Sequence, residues 1–445
     1  MMQFLIAAPC SGSGKTTVTC AVLAALKQRG ADPCAFKSGP DYIDPMFHRS
    51  ALQVDSHNLD LFFAAKDTVR ALYARYAAGH GAAVCEGAMG FYDGQGLTTR
   101  ASAWELADTL SLPVLLVVQP KGASMTLAAQ VQGLVHFRKN SHIAGILLNS
   151  CSEKLYKMLK VLLEAETGLP VLGYLPRLPQ AAVESRHLGL KTANEIADIQ
   201  QKIALLADSL VLDWEKLAEI AGKPEAVSVP YIASGHAPIA RIAVAQDEAF
   251  CFTYAETLDA LRDAGAELVF FSPVRDAALP QNIGGLYLPG GYPELYAKQL
   301  SENAALRASI RTAVRSGLPT VAECGGFLYL GQSLEDAEGQ IFPMAGVLPG
   351  DGVKVGRLVR FGYAEMTAKA DSMLFRAGET LPVHEFHHWD STANGTAFTA
   401  RKNEKMQWEC GFANKNFYAG FPHLYWAGTP LPGRFVRAAE RYTKG

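Results

Sequence analysis

Two separate stretches of this chain carry residue types that do chemistry only when the backbone gathers them. Near the N-terminus, Pro9-Cys10-Ser11-Gly12-Ser13-Gly14-Lys15-Thr16-Thr17 combines two glycines, a lysine and two hydroxyls. Glycines let successive N–H groups turn onto phosphate oxygens, and the start of a following helix adds positive potential. Lys15 is spaced to reach the β- and γ-phosphates of ATP, and Thr16 to offer its hydroxyl to Mg²⁺. Gly12, Ser13, Gly14, Lys15, Thr16 and Thr17 are therefore the expected nucleotide contacts. A merely structural strand-to-helix turn would not need Gly-Lys-Thr-Thr.

Phosphoryl transfer also needs carboxylates that complete an oxygen shell around the metal. Glu86 ends an apolar stretch and precedes Gly87-Ala88-Met89-Gly90. Lys37-Ser38-Gly39-Pro40-Asp41-Tyr42-Ile43-Asp44 puts a cation and two carboxylates on one loop. Clustering favours Glu86, Asp41 and Asp44, whereas Asp60 and Asp93 read equally as caps or solvated acids. Asn149, in Leu147-Leu148-Asn149-Ser150, carries an amide that can donate to and accept from an adenine edge; an ordinary turn asparagine is the competing reading.

The second stretch is Ala322-Glu323-Cys324-Gly325-Gly326. A cysteine on a sharp strand-to-helix turn exposes its sulfur as a nucleophile. The N–H groups of Gly325 and of Gly290-Gly291, in Leu288-Pro289-Gly290-Gly291-Tyr292, are candidates to stabilise an oxyanion. The thiolate needs a base, and His423 lies about 100 residues downstream, as a spatial partner would. His384-Glu385-Phe386-His387-His388 lacks the spacing of a zinc site, so a substrate contact or a polar network is expected there instead.

These residues need strands to position them. Apolar runs at Gln3–Ala8, Pro33–Phe36, Ala82–Cys85, Pro113–Val118, Ile143–Leu148 and Pro170–Gly173 alternate with helical patterns such as Lys15–Gln28 and Ser124–His136. Buried parallel strands read as unbroken apolar runs, so the front half is a doubly wound α/β sheet, with a helical tail over Lys191–Ala221. A second α/β series starts at Arg241: strands Ile242–Ala245, Glu267–Phe271, Gly285–Leu288 and Thr320–Ala322, helices Thr253–Ala264 and Ala304–Ser316. The expected domains are 1–222 and 241–445, joined by a linker at 223–240. At 445 residues, with 49% hydrophobic and 19% charged residues, the chain is long enough for two cores. A net charge of -2 with no basic run excludes nucleic acid or an anionic membrane as the main partner. Eight scattered cysteines suit a reduced cytoplasmic protein, and the apolar start Met1–Pro9 reads as a buried first strand rather than a signal peptide.

The two halves together resemble the glutamine-hydrolysing cobyrinic acid a,c-diamide synthase family of corrin-ring biosynthesis. The resemblance is carried by Ser11–Thr17, Lys37–His48, Glu86–Gly94, the Cys324 elbow and the run from His384, and it covers nearly the whole chain. Pro9 stands where a phosphate loop usually has its first glycine, which resembles the dethiobiotin-synthetase variant. The resemblance implies a dethiobiotin-synthetase-like P-loop domain followed by a class I glutamine amidotransferase-like α/β domain. Lys37 and Asn149 are also expected among the ATP contacts, and beside the Thr16 hydroxyl the resemblance implies that Asp44 and Glu86 serve Mg²⁺. It further implies that Asp41, Tyr42, Asp44 and Asp93 meet the substrate, and that Cys324 and His423 hydrolyse glutamine. The expected reaction is ATP-dependent amidation of two acetate side chains of a corrinoid or related tetrapyrrole acid through acyl phosphates, with a homodimer left open. Hydrogenobyrinic acid and nickel sirohydrochlorin are alternative substrates; a non-enzymatic ATP switch is the alternative of a different class. Two positions depart from pattern: Tyr425 stands where class I amidotransferases place a glutamate two residues after the histidine, and His388 where the family often has tyrosine.

Overall fold

The computed structural model describes residues 1–181, 199–222 and 237–444, together with the short strands Ser185–Arg186 and Gly189–Leu190. The chain divides into two compact units, Met1–Tyr231 and Ile232–Gly445. Most of the linker expected at 223–240 lies outside the described residues.

In the first unit, the apolar start of the chain forms the strand Met2–Ala7, with Leu5, Ile6 and Ala7 fully buried. It lies inside an eight-stranded sheet in the order 211–212, 171–175, 143–149, 114–118, 2–7, 82–86, 33–38, 56–59. Every neighbouring pair is parallel except 211–212 against 171–175. Parallel neighbours need crossovers, which the helices Lys15–Gln28, Lys66–Ala77, Ala103–Leu110, Met125–His136 and Glu153–Thr167 supply.

Two strands of this sheet escape a search for apolar runs. Ser56–Leu59 is polar in sequence yet enclosed: the Ser56 hydroxyl lies 3.0 Å from His48 Nδ1. Val211–Leu212 interrupts the expected helical tail, leaving helices Ile199–Ser209 and Trp214–Ala221; residues 191–198 of that tail lie outside the described residues.

The second unit has a six-stranded sheet in the order 266–271, 240–245, 285–288, 320–323, 417–420, 412–414, parallel except for its last pair. Both faces are covered. Leu288 and Ala322 pack with Leu306 and Ile310 of helix Ala304–Arg315, while Tyr287 and Val321 pack with Phe435 and Val436 of helix Leu431–Lys444.

A second sheet, which the sequence reading does not anticipate, is built on Asp351–Ala368 and Thr380–Ser391. These run antiparallel, with irregular register between Lys354 and Gly362. The strand Thr380–Ser391 carries the run from His384 and pairs His384 with His423.

Candidate active site

The first site forms where strand ends meet the loop before helix Lys15–Gln28. Gly12 and Gly14 adopt φ of 78° and 82°, the left-handed region that glycine reaches without strain. A side chain at Gly14 would also collide with Asn149, whose Nδ2 lies 2.1 Å from where a Cβ would stand. Asn149 is buried, donates from Nδ2 to Ser13 O at 2.9 Å and accepts from Ser150 N–H at 2.9 Å. In this conformation its amide holds the loop. The Lys15 ammonium is nearly enclosed and donates to Cys10 O at 3.3 Å and to Met89 O. Burial and the charge of Lys37 lower its pKa.

Behind the loop sits a buried ionic cluster. Lys37 Nζ lies 2.5 Å from Asp44 Oδ2 and 2.7 Å from Glu86 Oε1. The Thr16 hydroxyl donates to the same Glu86 oxygen at 2.6 Å and reaches Asp44 Oδ2 at 3.4 Å. Burial opposes the charge on Lys37, but Asp44, Glu86 and Asp41 outweigh it and raise its pKa. For Asp44, Lys37 outweighs burial and the pKa falls; for Glu86 burial, with the charge of Asp44, raises it.

Asp41 stands at the rim, 3.9 Å from Lys37, with 36% of its side chain exposed. Its other oxygen accepts from Ile43 N–H at 2.8 Å, and Tyr42 begins the short helix Ile43–Phe47. Asp93 accepts from Gly90 N–H at 3.1 Å, closing the turn after Glu86, and Asp60 accepts from Phe62 N–H at 2.7 Å.

Among the described residues no group of three or more His, Cys, Asp or Glu side chains is arranged to hold a metal. The oxygen set of Thr16, Asp44 and Glu86 nonetheless suits a hard cation that takes its remaining ligands from phosphate and water. Glu86 Oε2 is buried with no hydrogen-bond partner among the described residues, a costly state that a bound cation relieves. The sequence reading passes over Asn58, which donates to Gly39 O at 3.0 Å and Asp41 O at 2.7 Å and so fixes the 39–42 loop. Nothing in the sequence marks it except an amide in a stretch too short to read as a strand.

The second site is the elbow. Cys324 has φ 46° and ψ −101°, a strained conformation for a residue with a Cβ. It joins strand Thr320–Glu323 to helix Gly325–Tyr329. Gly326 must be glycine, since a Cβ would stand 2.1 Å from Leu288 O. A Cβ on Gly290 would stand 2.5 Å from His423 Cε1 and 3.5 Å from Cys324 Cβ, so those two atoms are at most 6.0 Å apart. The Gly291 nitrogen lies 3.0 Å from the corresponding point on Gly325. The structure thus brings together Cys324, His423, Gly290, Gly291 and Gly325.

Burial and the carboxylates of Glu294 and Glu385 push the Cys324 thiol pKa up, against a hydrogen bond from the Gly325 backbone. A base is therefore required to make the thiolate. His423 Nδ1 lies 3.8 Å from Glu323 Oε2. Tyr425 is buried, its ring packed edge-on to Tyr254 at 5.3 Å.

The run from His384 splits across its strand. Glu385, fully buried, meets His387 Nε2 at 3.0 Å, Arg360 Nε at 3.2 Å and Trp408 Nε1 at 3.1 Å. His387 stacks on Phe421, centroids 3.8 Å apart. These contacts form a polar network, one of the two readings expected for this run.

A phosphate-loop unit followed by a unit with a strained cysteine beside a histidine defines a class: glutamine-dependent, amide-forming ligases. The family described as the CobQ/CobB/MinD/ParA nucleotide binding domain matches residues 4–190, and the CobB/CobQ-like glutamine amidotransferase domain matches residues 241–430. The chain is 37% identical over 428 residues to a cobyrinate a,c-diamide synthase of Caldanaerobacter subterraneus subsp. tengcongensis, covering 95% of this chain and 94% of that one. It is 37% identical to that of Clostridium acetobutylicum, covering 96% and 98%, and 38% identical to that of a Synechocystis species, covering 98% and 93%. The chain belongs to the cobyrinate a,c-diamide synthase family. No described helix is long and apolar enough to cross a membrane.

Proposed function

We propose that this chain amidates the a and c acetate side chains of cobyrinic acid, using ATP and Mg²⁺ for activation and glutamine as nitrogen donor. Residues 1–222 act as the ligase domain and 241–445 as the glutaminase domain. The observation that carries the reading is the likeness, over nearly the full length of both chains, to proteins named for that reaction. With family membership in a group of ligases, the non-enzymatic switch falls away.

A carboxylate is a poor electrophile because oxide leaves badly. A side-chain carboxylate of the macrocycle attacks the γ-phosphorus of ATP, the bond to the β,γ-bridging oxygen breaks, and ADP departs, leaving an acyl phosphate. Loop N–H groups of Gly12–Thr17 orient the phosphates, and Lys15 and Lys37 neutralise charge developing on the phosphoryl group. Thr16, Asp44 and Glu86 would hold a Mg²⁺, which would supply further charge neutralisation. Asp41, Tyr42 and Asp93 meet the acid substrate, and the Asn149 amide serves the base when it turns from Ser13.

In the second unit His423 takes the Cys324 proton and the thiolate attacks the glutamine carboxamide. N–H groups of Gly290, Gly291 and Gly325 receive the oxyanion of the tetrahedral adduct; its C–N bond breaks as His423 returns the proton to the departing nitrogen, ammonia leaves, and water hydrolyses the glutamyl thioester that remains. Ammonia displaces phosphate from the acyl phosphate and leaves the amide.

Cys324→Ser tests the division of labour. Glutamine-dependent synthesis should vanish while synthesis with free ammonia persists; equal loss of both contradicts it. Offering cobyrinic acid, hydrogenobyrinic acid and nickel sirohydrochlorin in parallel tests the substrate, and preferential turnover of either of the latter two overturns the assignment.

A further inference from the structure

We propose that Glu323, the residue immediately before the nucleophile, is the positioning carboxylate for His423. The inference rests on the assignment of Cys324 and His423 to glutamine hydrolysis. An imidazole that takes a proton on one nitrogen works best when a carboxylate fixes the other, setting the tautomer and stabilising the cation that forms. The usual source, two residues after the histidine, is Tyr425, whose phenol offers no negative charge and whose ring is packed on Tyr254.

Glu323 supplies what is missing. It is 1% exposed, and its Oε2 lies 3.8 Å from His423 Nδ1. Two neutral donors hold the carboxylate in place: Tyr287 O–H reaches Oε2 at 3.3 Å and Trp426 Nε1–H reaches Oε1 at 3.3 Å. Neither cancels a full charge. Among the described residues, His423 is the ion-pair partner found for Glu323. A carboxylate this deep persists only when compensated, so it and an imidazolium are mutually stabilising.

The topology makes the meeting obligatory. Glu323 pairs with Gly420 in the parallel ladder, three residues before His423, and Trp426 follows three residues after it. The carboxylate of Glu385 is engaged by Arg360, His387 and Trp408, and the ladder partner His384 carries no negative charge.

The test uses the full chain with Glu323→Gln and Glu323→Asp. Glu323→Gln should lower glutaminase kcat by ~100-fold or more with KM for glutamine held within about twofold, as loss of a triad carboxylate does. Glu323→Asp should recover part of the rate, and ammonia-dependent synthesis should persist in both. Nitrogen-15 NMR of the unmutated protein should show a downfield Nδ1 proton on His423, identified by its loss in His423→Asn and missing from Glu323→Gln. A Glu323→Gln kcat within about threefold of the parent overturns the inference while leaving the Cys324–His423 assignment intact. If the variants do not fold, absence of that proton in the unmutated protein overturns it. An unmutated chain with no glutaminase activity overturns both readings together.

Discussion

Replacing Lys37 with methionine removes the charge on which the first site is balanced. The ammonium lies 2.5 Å from Asp44 Oδ2 and 2.7 Å from Glu86 Oε1, and the two carboxylate side chains are 6% and 0% exposed. Deleting one partner of a buried ion pair costs about 3–5 kcal/mol, because the remaining charge stays desolvated. With two carboxylates stranded, the upper end of that range applies at pH 8. The loss should also depend on pH. Without Lys37, both acids have folded-state pKa values above their unfolded values of about 4. The native state then binds more protons than the unfolded chain, and its stability falls as pH rises from about 4 through the raised values. Urea unfolding at pH 5 and pH 8 should therefore show a smaller deficit at pH 5. Hydrogen exchange should localise the loss to strands Pro33–Ser38 and Ala82–Glu86. ATP-dependent synthesis should disappear while glutaminase activity in the second unit continues. A Lys37→Met chain as stable as the parent at pH 8, or a deficit equal at both pH values, refutes the reasoning.

Gly326→Ala should cost about 1–3 kcal/mol, since its Cβ would lie 2.1 Å from a backbone oxygen; it should depress glutaminase and spare ammonia-dependent synthesis, and unchanged glutaminase kinetics would contradict this. Acid should draw stability from the chain through two desolvated histidines. Burial lowers the pKa of His48 to about 4 and of His384 to about 3, below an unfolded value of about 6.5. The unfolded chain takes the extra protons, so each histidine withdraws up to ~1.4 kcal/mol per pH unit as pH falls from about 6.5 toward those values. Thermal unfolding between pH 7 and pH 4.5 should show that decline, and a flat Tm over the window would contradict it.

Much of this architecture is legible in the sequence because buried parallel strands announce themselves as apolar runs. Phe4–Ala7, Val114–Val118 and Leu286–Leu288 were findable for that reason. The same criterion misses Ser56–Leu59, which is buried through hydrogen bonds, and the long pair Asp351–Ala368 and Thr380–Ser391: the first is half-exposed and bulged, and the second alternates in burial but turns Glu385 and His387 inward, so neither reads as an apolar alternation.

The loop glycines, Lys15, Glu86 and Cys324 are legible because their chemistry forces local sequence. Contacts made across the fold leave no such trace. Lys37 reads as one cation on an acidic loop, and only the sheet register, which sets Lys37 beside Glu86, shows that it bridges a strand's carboxylate and that of Asp44 in the helix Ile43–Phe47. Asn58 and Glu323 are ordinary letters until ladders place them against the 39–42 loop and His423.

The most direct test of two cooperating reaction centres follows nitrogen. The chain, ATP, Mg²⁺ and cobyrinic acid are incubated with amide-labelled nitrogen-15 glutamine, and the product is weighed. The account predicts a diamide carrying two heavy nitrogens, formed only when ATP is present, and no labelled product from Cys324→Ser. Amidation without ATP, or labelled product from Cys324→Ser, would contradict it.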